Sequence, residues 1–132
     1  MRNFTIRELT ASPTAEAEKI NNDPTLEAVE NLKLLIDTVL DPLRDAYGKP
    51  IRVNSGYRSH ALNKVLKGSK TSQHLKGQAA DITGGSKAEN KKLFELAQKL
   101  NLPFCQLIDE KNFSWVHISY DKNNVKRQLL HL

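Results

Sequence analysis

Three side chains in this 132-residue chain carry donors that suit a divalent transition metal: His74, Asp81 and His117. The first two lie in Ser72-Gln73-His74-Leu75-Lys76-Gly77-Gln78-Ala79-Ala80-Asp81, the third in Trp115-Val116-His117-Ile118-Ser119, all among small or apolar neighbours. A zinc ion that keeps one coordination position for water commonly takes three protein ligands, and imidazole with carboxylate suits it, manganese, cobalt and nickel being alternatives in vitro. A seven-residue separation would also place His74 and Asp81 on one face of an unbroken helix, but Gly77 disfavours an interior helical turn. The expectation is His74 on a loop and Asp81 entering a strand. Taken alone, a histidine in an apolar strand such as His117 is ordinarily a core residue satisfied by one hydrogen bond. His60, at a helix start, and His131, beside the C-terminus, read as surface groups.

The segment from Ser72 to Asp81 resembles the SxHxxGxAxD signature of the M15 peptidases, the zinc D-Ala-D-Ala carboxypeptidase and dipeptidase family, whose third ligand lies in a later Trp-x-His strand. Phe4-Thr5-Ile6-Arg7-Glu8-Leu9, Ser55-Gly56-Tyr57-Arg58-Ser59, and Gln106-Leu107-Ile108 followed by Glu110 resemble an M15A-like branch of it. The likeness runs from about Phe4 to Tyr120. It implies one zinc ion held by His74, Asp81 and His117, a peptidoglycan peptide as substrate, and a hedgehog/DD-peptidase-like α+β fold.

Metal-assisted hydrolysis needs a base to accept a proton from the attacking water and return it to the leaving amine. Members of the family commonly place an acidic residue two or three positions before the last histidine ligand, where this chain has Trp115 and Ser114. Glu110 is the candidate instead. If a hairpin pairs Glu110 with Trp115, Ile108 lies opposite His117, and the period of two puts Glu110 and His117 on one face. Asp109 then points the other way and is second choice. Arg58 is the expected clamp, because guanidinium grips a carboxylate through two parallel hydrogen bonds; by resemblance it binds substrate carboxylate or stabilises the oxyanion. Ser72 either caps its loop or binds substrate. Gln73 is expected to line the cleft, as are Tyr57 and Ser119, with Trp115 as a packing wall.

The elements that must position these groups follow from local pattern. A short helical start is expected over Ile6 to Leu9 and a second turn after Ser12-Pro13, with Ser12 as cap. Asp23 is the expected cap of the longest helix, Pro24 to Tyr47, whose Leu26, Val29, Leu32, Leu35, Ile36, Val39, Leu40 and Leu43 recur at three- and four-residue steps. Pro42 should kink or break it near Leu40. Ile51 to Asn54 reads as a strand, Ala61 to Leu66 as a helix, and Ala79 to Ile82 as a buried strand closed by Gly84-Gly85. Ser86 caps a helix from Lys87 to Leu100, with Leu93, Phe94, Leu96, Ala97 and Leu100 facing inward. Phe104 to Asp109 and Trp115 to Ser119 form a hairpin, and the tail from Asn123 to Leu132 adds an edge strand. The fold class is α+β, with helices packed on a small, mainly antiparallel sheet in one domain over residues 1–132.

Composition narrows the function classes. The chain is 39% hydrophobic and 27% charged, ordinary for a globular protein, and no apolar run approaches a membrane span or a secretory leader. No membrane partner is expected, and a monomer is. A phage-encoded protein acting on the bacterial wall and a cytoplasmic enzyme both fit the absence of a leader. The formal charge of +5 suits an anionic partner. Yet the lysines are dispersed, and the densest cluster, Lys64, Lys67, Lys70 and Lys76, lacks interleaved aromatic residues, so nucleic acid is not expected. Cys105 has no partner for an internal disulfide and reads as a buried free thiol. The alternative to an enzyme is a non-catalytic, zinc-stabilised wall-binding module.

Overall fold

Helix starts in this chain are set by small hydroxyl side chains. Thr5, Ser12, Thr25, Ser59 and Ser86 each accept a hydrogen bond from the backbone N–H three residues on, satisfying donors that a helix leaves unpaired at its first turn. They open α1 (Ile6–Thr10), α2 (Pro13–Glu18), α3 (Leu26–Leu35), α5 (His60–Val65) and α6 (Lys87–Lys99). The computed structural model describes residues 1–132. The cap of α3 is Thr25 and not Asp23, whose N–H turns back to Asn21 Oδ1 at 2.8 Å. Starting two residues later leaves Leu26 at 87% exposure, outside the expected apolar face. Leu100, just past the end of α6, is likewise exposed.

Pro42 does not break the long helical run. Its ring would collide with the carbonyl one α-turn earlier, and the backbone widens instead into a π-helical turn over Ile36–Leu40, in which Asp41 N–H reaches Ile36 O. The run then continues as α4 (Asp41–Tyr47) and stops at Gly48 in the left-handed region. Leu32, Leu35, Ile36, Val39, Leu40 and Leu43 are all buried through this change of pitch.

The sheet has five strands in the order β1 (Arg52–Ser55), β2 (Ala79–Thr83), β4 (Trp115–Ser119), β3 (Gln106–Glu110), β5 (Gln128–His131). Its first three pairings are antiparallel, and β5 lies parallel to β3 at the edge. The hairpin register is the expected one, Ile108 opposite His117 and Glu110 opposite Trp115. Between β1 and β2 the register slips: Val53 faces Ile82 but Ser55 faces Asp81, leaving Asn54 as an extra residue.

Alternation divides the sheet into two chemically different faces. Ala80, Ile82, Leu107, Val116 and Ile118 join Leu9, α3, the π turn, α4 and α6 in a single apolar cluster. Asp81, Ile108, Glu110, Trp115 and His117 point the other way. Burial of the first set, at roughly 25 cal/mol per Å² of apolar surface, holds the backbone that presents the second. Cys105 is buried as a free thiol. No helix is long and apolar enough to cross a membrane.

Candidate metal centre

Asp81 and His117 are direct cross-strand partners on β2 and β4. Both strands are interior to the sheet, so each is hydrogen-bonded on two sides and the two side chains are held at fixed spacing. His117 Nδ1 lies 3.0 Å from Asp81 Oδ1. His74 approaches the same oxygen from outside the sheet, with Nε2 at 3.3 Å. It stands on a four-residue 3₁₀ turn, Gln73–Lys76, a regular turn where a loop was expected.

That turn is built from local chemistry. Ser72 Oγ accepts from His74 N–H at its start, and Gly77 ends it at φ +73°, the left-handed conformation that costs glycine little. A β-carbon on Gly77 would stand 2.5 Å from Ala28 O, so the turn is seated directly on α3. Asn31 Nδ2 donates to Lys76 O at 2.8 Å from the same helix. On the other side Arg58 N–H donates to His74 O at 3.0 Å.

His74 is fixed in orientation as well as place. Its Nδ1–H donates to Gly56 O at 2.7 Å, which leaves the Nε2 lone pair facing Asp81. Such a bond to the far ring nitrogen is the usual way a protein orients a metal-ligating histidine. Gly56 can offer its carbonyl because the chain presses against Leu9 there, and any side chain would collide with Leu9 O. Asn22 braces the same loop, accepting from Ser59 N–H at 2.7 Å and donating to Thr10 O and Tyr57 O.

His74, Asp81 and His117 are all buried, and one ligand atom from each falls within 4.8 Å of the other two. Metal-to-ligand distances near 2.0–2.2 Å in a tetrahedron imply edges of about 3.3 Å between ligand atoms. The edges from Asp81 Oδ1 to the two imidazoles match, so the donor set fits a small divalent ion. Burial pushes the Asp81 carboxyl up, but the His117 and His74 rings beside it outweigh that and hold the group well below the usual carboxylate range.

Around these three residues opens a cleft of about 490 Å³. Arg58, Ser72, Gln73 and Glu110 line it together with the three donors, so these residues meet in one place. Arg58 is already engaged: Nη2 is 3.4 Å from Asp81 Oδ2, Nε donates to Ser55 Oγ at 3.0 Å, and Nη1 is 3.4 Å from Asn63 Oδ1. Glu110 Oε2 accepts from Trp115 Nε1 at 2.9 Å, so the tryptophan aims the carboxylate as well as walling the cleft. Asp109 lies on the opposite face, buried against His131. Tyr57 and Ser119 do not line the cleft. Tyr57 belongs to the apolar core, and fully buried Ser119 accepts from Gln106 N–H through Oγ. Asn63, Asn124 and Lys126 were not legible as parts of the site, because nothing in their local sequence marks them; Ser55 and Gln106 lie in stretches that resemble the family, but no role was assigned to them.

This arrangement has relatives. A stretch of 48 residues, 36% of this chain, is 46% identical to the zinc D-Ala-D-Ala carboxypeptidase of Streptomyces albus G. The match spans only 19% of that protein's length. The pattern of the family described as Peptidase M15 matches residues 2–119, which include the three clustered donors, Arg58 and Glu110. The chain therefore belongs to the peptidase M15 family.

Proposed function

We propose that the chain is a zinc-dependent peptidase acting on peptidoglycan stem peptides or cross-links, as a D-Ala-D-Ala carboxypeptidase or an endolysin-type endopeptidase. The observation that carries this reading is the convergence of His74, Asp81 and His117 beside Glu110 in one open cleft. Family membership and the printed activity of the Streptomyces relative support it. The basic net charge favours approach to an acidic wall, although it selects no bond.

In this reading His74 Nε2, an Asp81 oxygen and His117 Nδ1 hold the ion, which supplies Lewis acidity to a peptide carbonyl and to a water molecule. Glu110 accepts the proton of the attacking water and delivers it to the departing amine. Its bond from Trp115 keeps the carboxylate oriented without neutralising it. Arg58 offsets the charge of Asp81 on one side, and its position on the cleft wall lets the guanidinium meet negative charge that develops on the substrate.

Digestion of purified muropeptides with and without a chelator, followed by mass analysis, tests the metal requirement and identifies the bond. Cleavage should stop with chelator and return with added zinc. Glu110→Gln should keep its zinc and lose about 10²–10⁴-fold in turnover, the usual worth of a positioned base. Undiminished cleavage by that variant would remove Glu110 from the mechanism. Zinc binding without cleavage in the wild type would turn the reading to a wall-binding module.

A further inference from the structure

A second hollow, of about 630 Å³, opens at the end of the strands that carry two of the metal-type donors. Gln78 stands three residues before Asp81 and Tyr120 three residues after His117, so at about 3.3 Å per residue the hollow begins about 10 Å along the sheet from the centre. Tyr120 N–H donates to Gln78 O at 2.8 Å and closes this end of the pairing. The opposite wall is α3, where Glu27, Asn31 and Leu34 follow one another at four- and three-residue steps and so share a face. Tyr120 to Asn123, which complete the lining, lie beyond the residues 2–119 that match the family.

The hollow and the metal cleft share a wall. Asn123 lines the first and Asn124 the second. Asp121 fixes that segment, accepting from Asn123 N–H through Oδ1 at 2.9 Å and from Asn124 N–H through its carbonyl at 2.8 Å. The turn that carries His74 has the same double aspect: Gln78 N–H donates to Gln73 O at 3.0 Å, Gln73 lining the cleft and Gln78 the hollow. A ligand that fills both cavities crosses only this ridge.

The lining decides which class of ligand fits. Leu34 and Tyr120 are its apolar members, too few for a lipid or an apolar peptide, whose pockets are mainly apolar. Its carboxylates do not gather as metal ligands do, since the donors that converge within 4.8 Å are those of the metal centre. Glu30 already has Lys33 at 3.5 Å, and Lys122 offsets a further charge on the rim. What remains is hydrogen-bonding capacity. Asn31 donates to Lys76 O and leaves its Oδ1 open, and neither the Gln78 amide nor the Tyr120 hydroxyl has a partner in the chain. Tyr120 also packs against the apolar cluster, which holds its ring at the edge of the hollow. Singly, such groups are ordinary at a surface. Amides, carboxylates and an aromatic ring facing one concavity match a saturated ring bearing several hydroxyls, because each hydroxyl both donates and accepts and the C–H face of the ring lies against an aromatic one.

We propose that this hollow is a carbohydrate subsite, which takes an N-acetylhexosamine of a glycan strand while the peptide attached to that sugar crosses the ridge at residues 123–124 into the metal cleft. The placement of the peptide rests on the reading of the cleft as a peptidoglycan peptidase. The binding of sugar does not. Leu34 supplies an apolar contact suited to the acetamido methyl, and Glu27 and Gln78 supply hydrogen bonds from opposite walls.

The test is titration of the full chain, with and without zinc, with the tetrasaccharide of N-acetylglucosamine, followed by backbone amide resonances. Binding should be saturable, independent of zinc, and mapped to Gln78 and to Tyr120 through Asn123; maltotetraose, which lacks the acetamido group, should bind more weakly. Glu27→Ala, on the exposed side of a helix, should weaken the tetrasaccharide about tenfold, the worth of one hydrogen bond to a charged group, and Gln78→Ala about fivefold, the worth of a neutral one. Lys64→Met, outside both cavities, should retain full affinity. No saturable binding, resonance changes confined to other surfaces, or unchanged affinity in both Glu27→Ala and Gln78→Ala would each overturn the assignment, as would binding of Nα-acetyl-lysine amide at these residues in place of the sugar. Tetrasaccharide binding by a protein that cleaves no muropeptide would sink the peptidase reading and keep the subsite; cleavage without tetrasaccharide binding would do the reverse.

Discussion

The two histidines of the centre reach one carboxylate from supports of opposite kinds. His117 belongs to an interior strand and faces Asp81 across a ladder, so main-chain hydrogen bonding fixes both side chains and the apolar cluster beneath holds the ladder. His74 stands on a single 3₁₀ turn whose own hydrogen bonds would not hold it in water. Everything that fixes it comes from side chains and neighbours: the Ser72 cap, the Gly77 seat on α3, and the bond from Nδ1 to Gly56 O. One half is set by the fold as a whole and the other by a few local bonds. An ion shared between them would tie the weaker half to the stronger, since ligand binding to the native state adds to its stability.

The largest expected effect comes from breaking the half set by the sheet. Even the outer partners of metal ligands are typically worth about 10- to 100-fold in metal affinity, so Asp81→Ala, which removes the oxygen that both imidazoles face, should cost more than about 100-fold. Elemental analysis of the purified variant checks this; a stoichiometric ion retained by Asp81→Ala would mean that the centre lies elsewhere.

An intermediate effect should separate the halves. Gly77→Ala forces a left-handed alanine and a β-carbon against Ala28 O, which together should cost roughly 2–5 kcal/mol. Metal affinity should fall about 10- to 100-fold through displacement of His74, while amide exchange across β2 and β4 stays slow. Loss of protection in those strands would show that the turn supports the sheet and would reverse the comparison.

The smallest change sharpens the role of one hydroxyl. Ser72→Ala should cost about 1 kcal/mol through the lost cap, with a few-fold decline in metal affinity and no change in KM once zinc is saturating. A rise in KM with metal affinity intact would assign Ser72 to the substrate.

Legibility in the sequence followed the same division. His117, Glu110 and their shared face could be read from alternation and hairpin register, because a period of two admits few arrangements once the pairing is set. The caps at Ser12 and Ser86 were equally plain, since their partners lie within one turn. At Thr25 the rule misled, because Asp23-Pro24 offered a stronger-looking cap two residues earlier and only tertiary packing of α3 decides between them. The π turn before Pro42 was visible as an interruption but not as its remedy. Least legible were the bonds joining distant segments: Gly56 to His74, Trp115 to Glu110 and Lys126 to the cleft each depend on the completed fold.

The unpaired Asn54 illustrates what such a detail decides. Along a strand the two faces are visited in strict turn, so a single surplus residue reverses the order for all that comes after it. Ser55 thereby takes the place beside Asp81, and the carbonyl of Gly56 and the head group of Arg58 follow it toward the centre. The same chain paired without the bulge would keep Val53 opposite Ile82, set Asn54 opposite Asp81, and present its next three groups with the wrong parity: a sound scaffold facing away from its own chemistry.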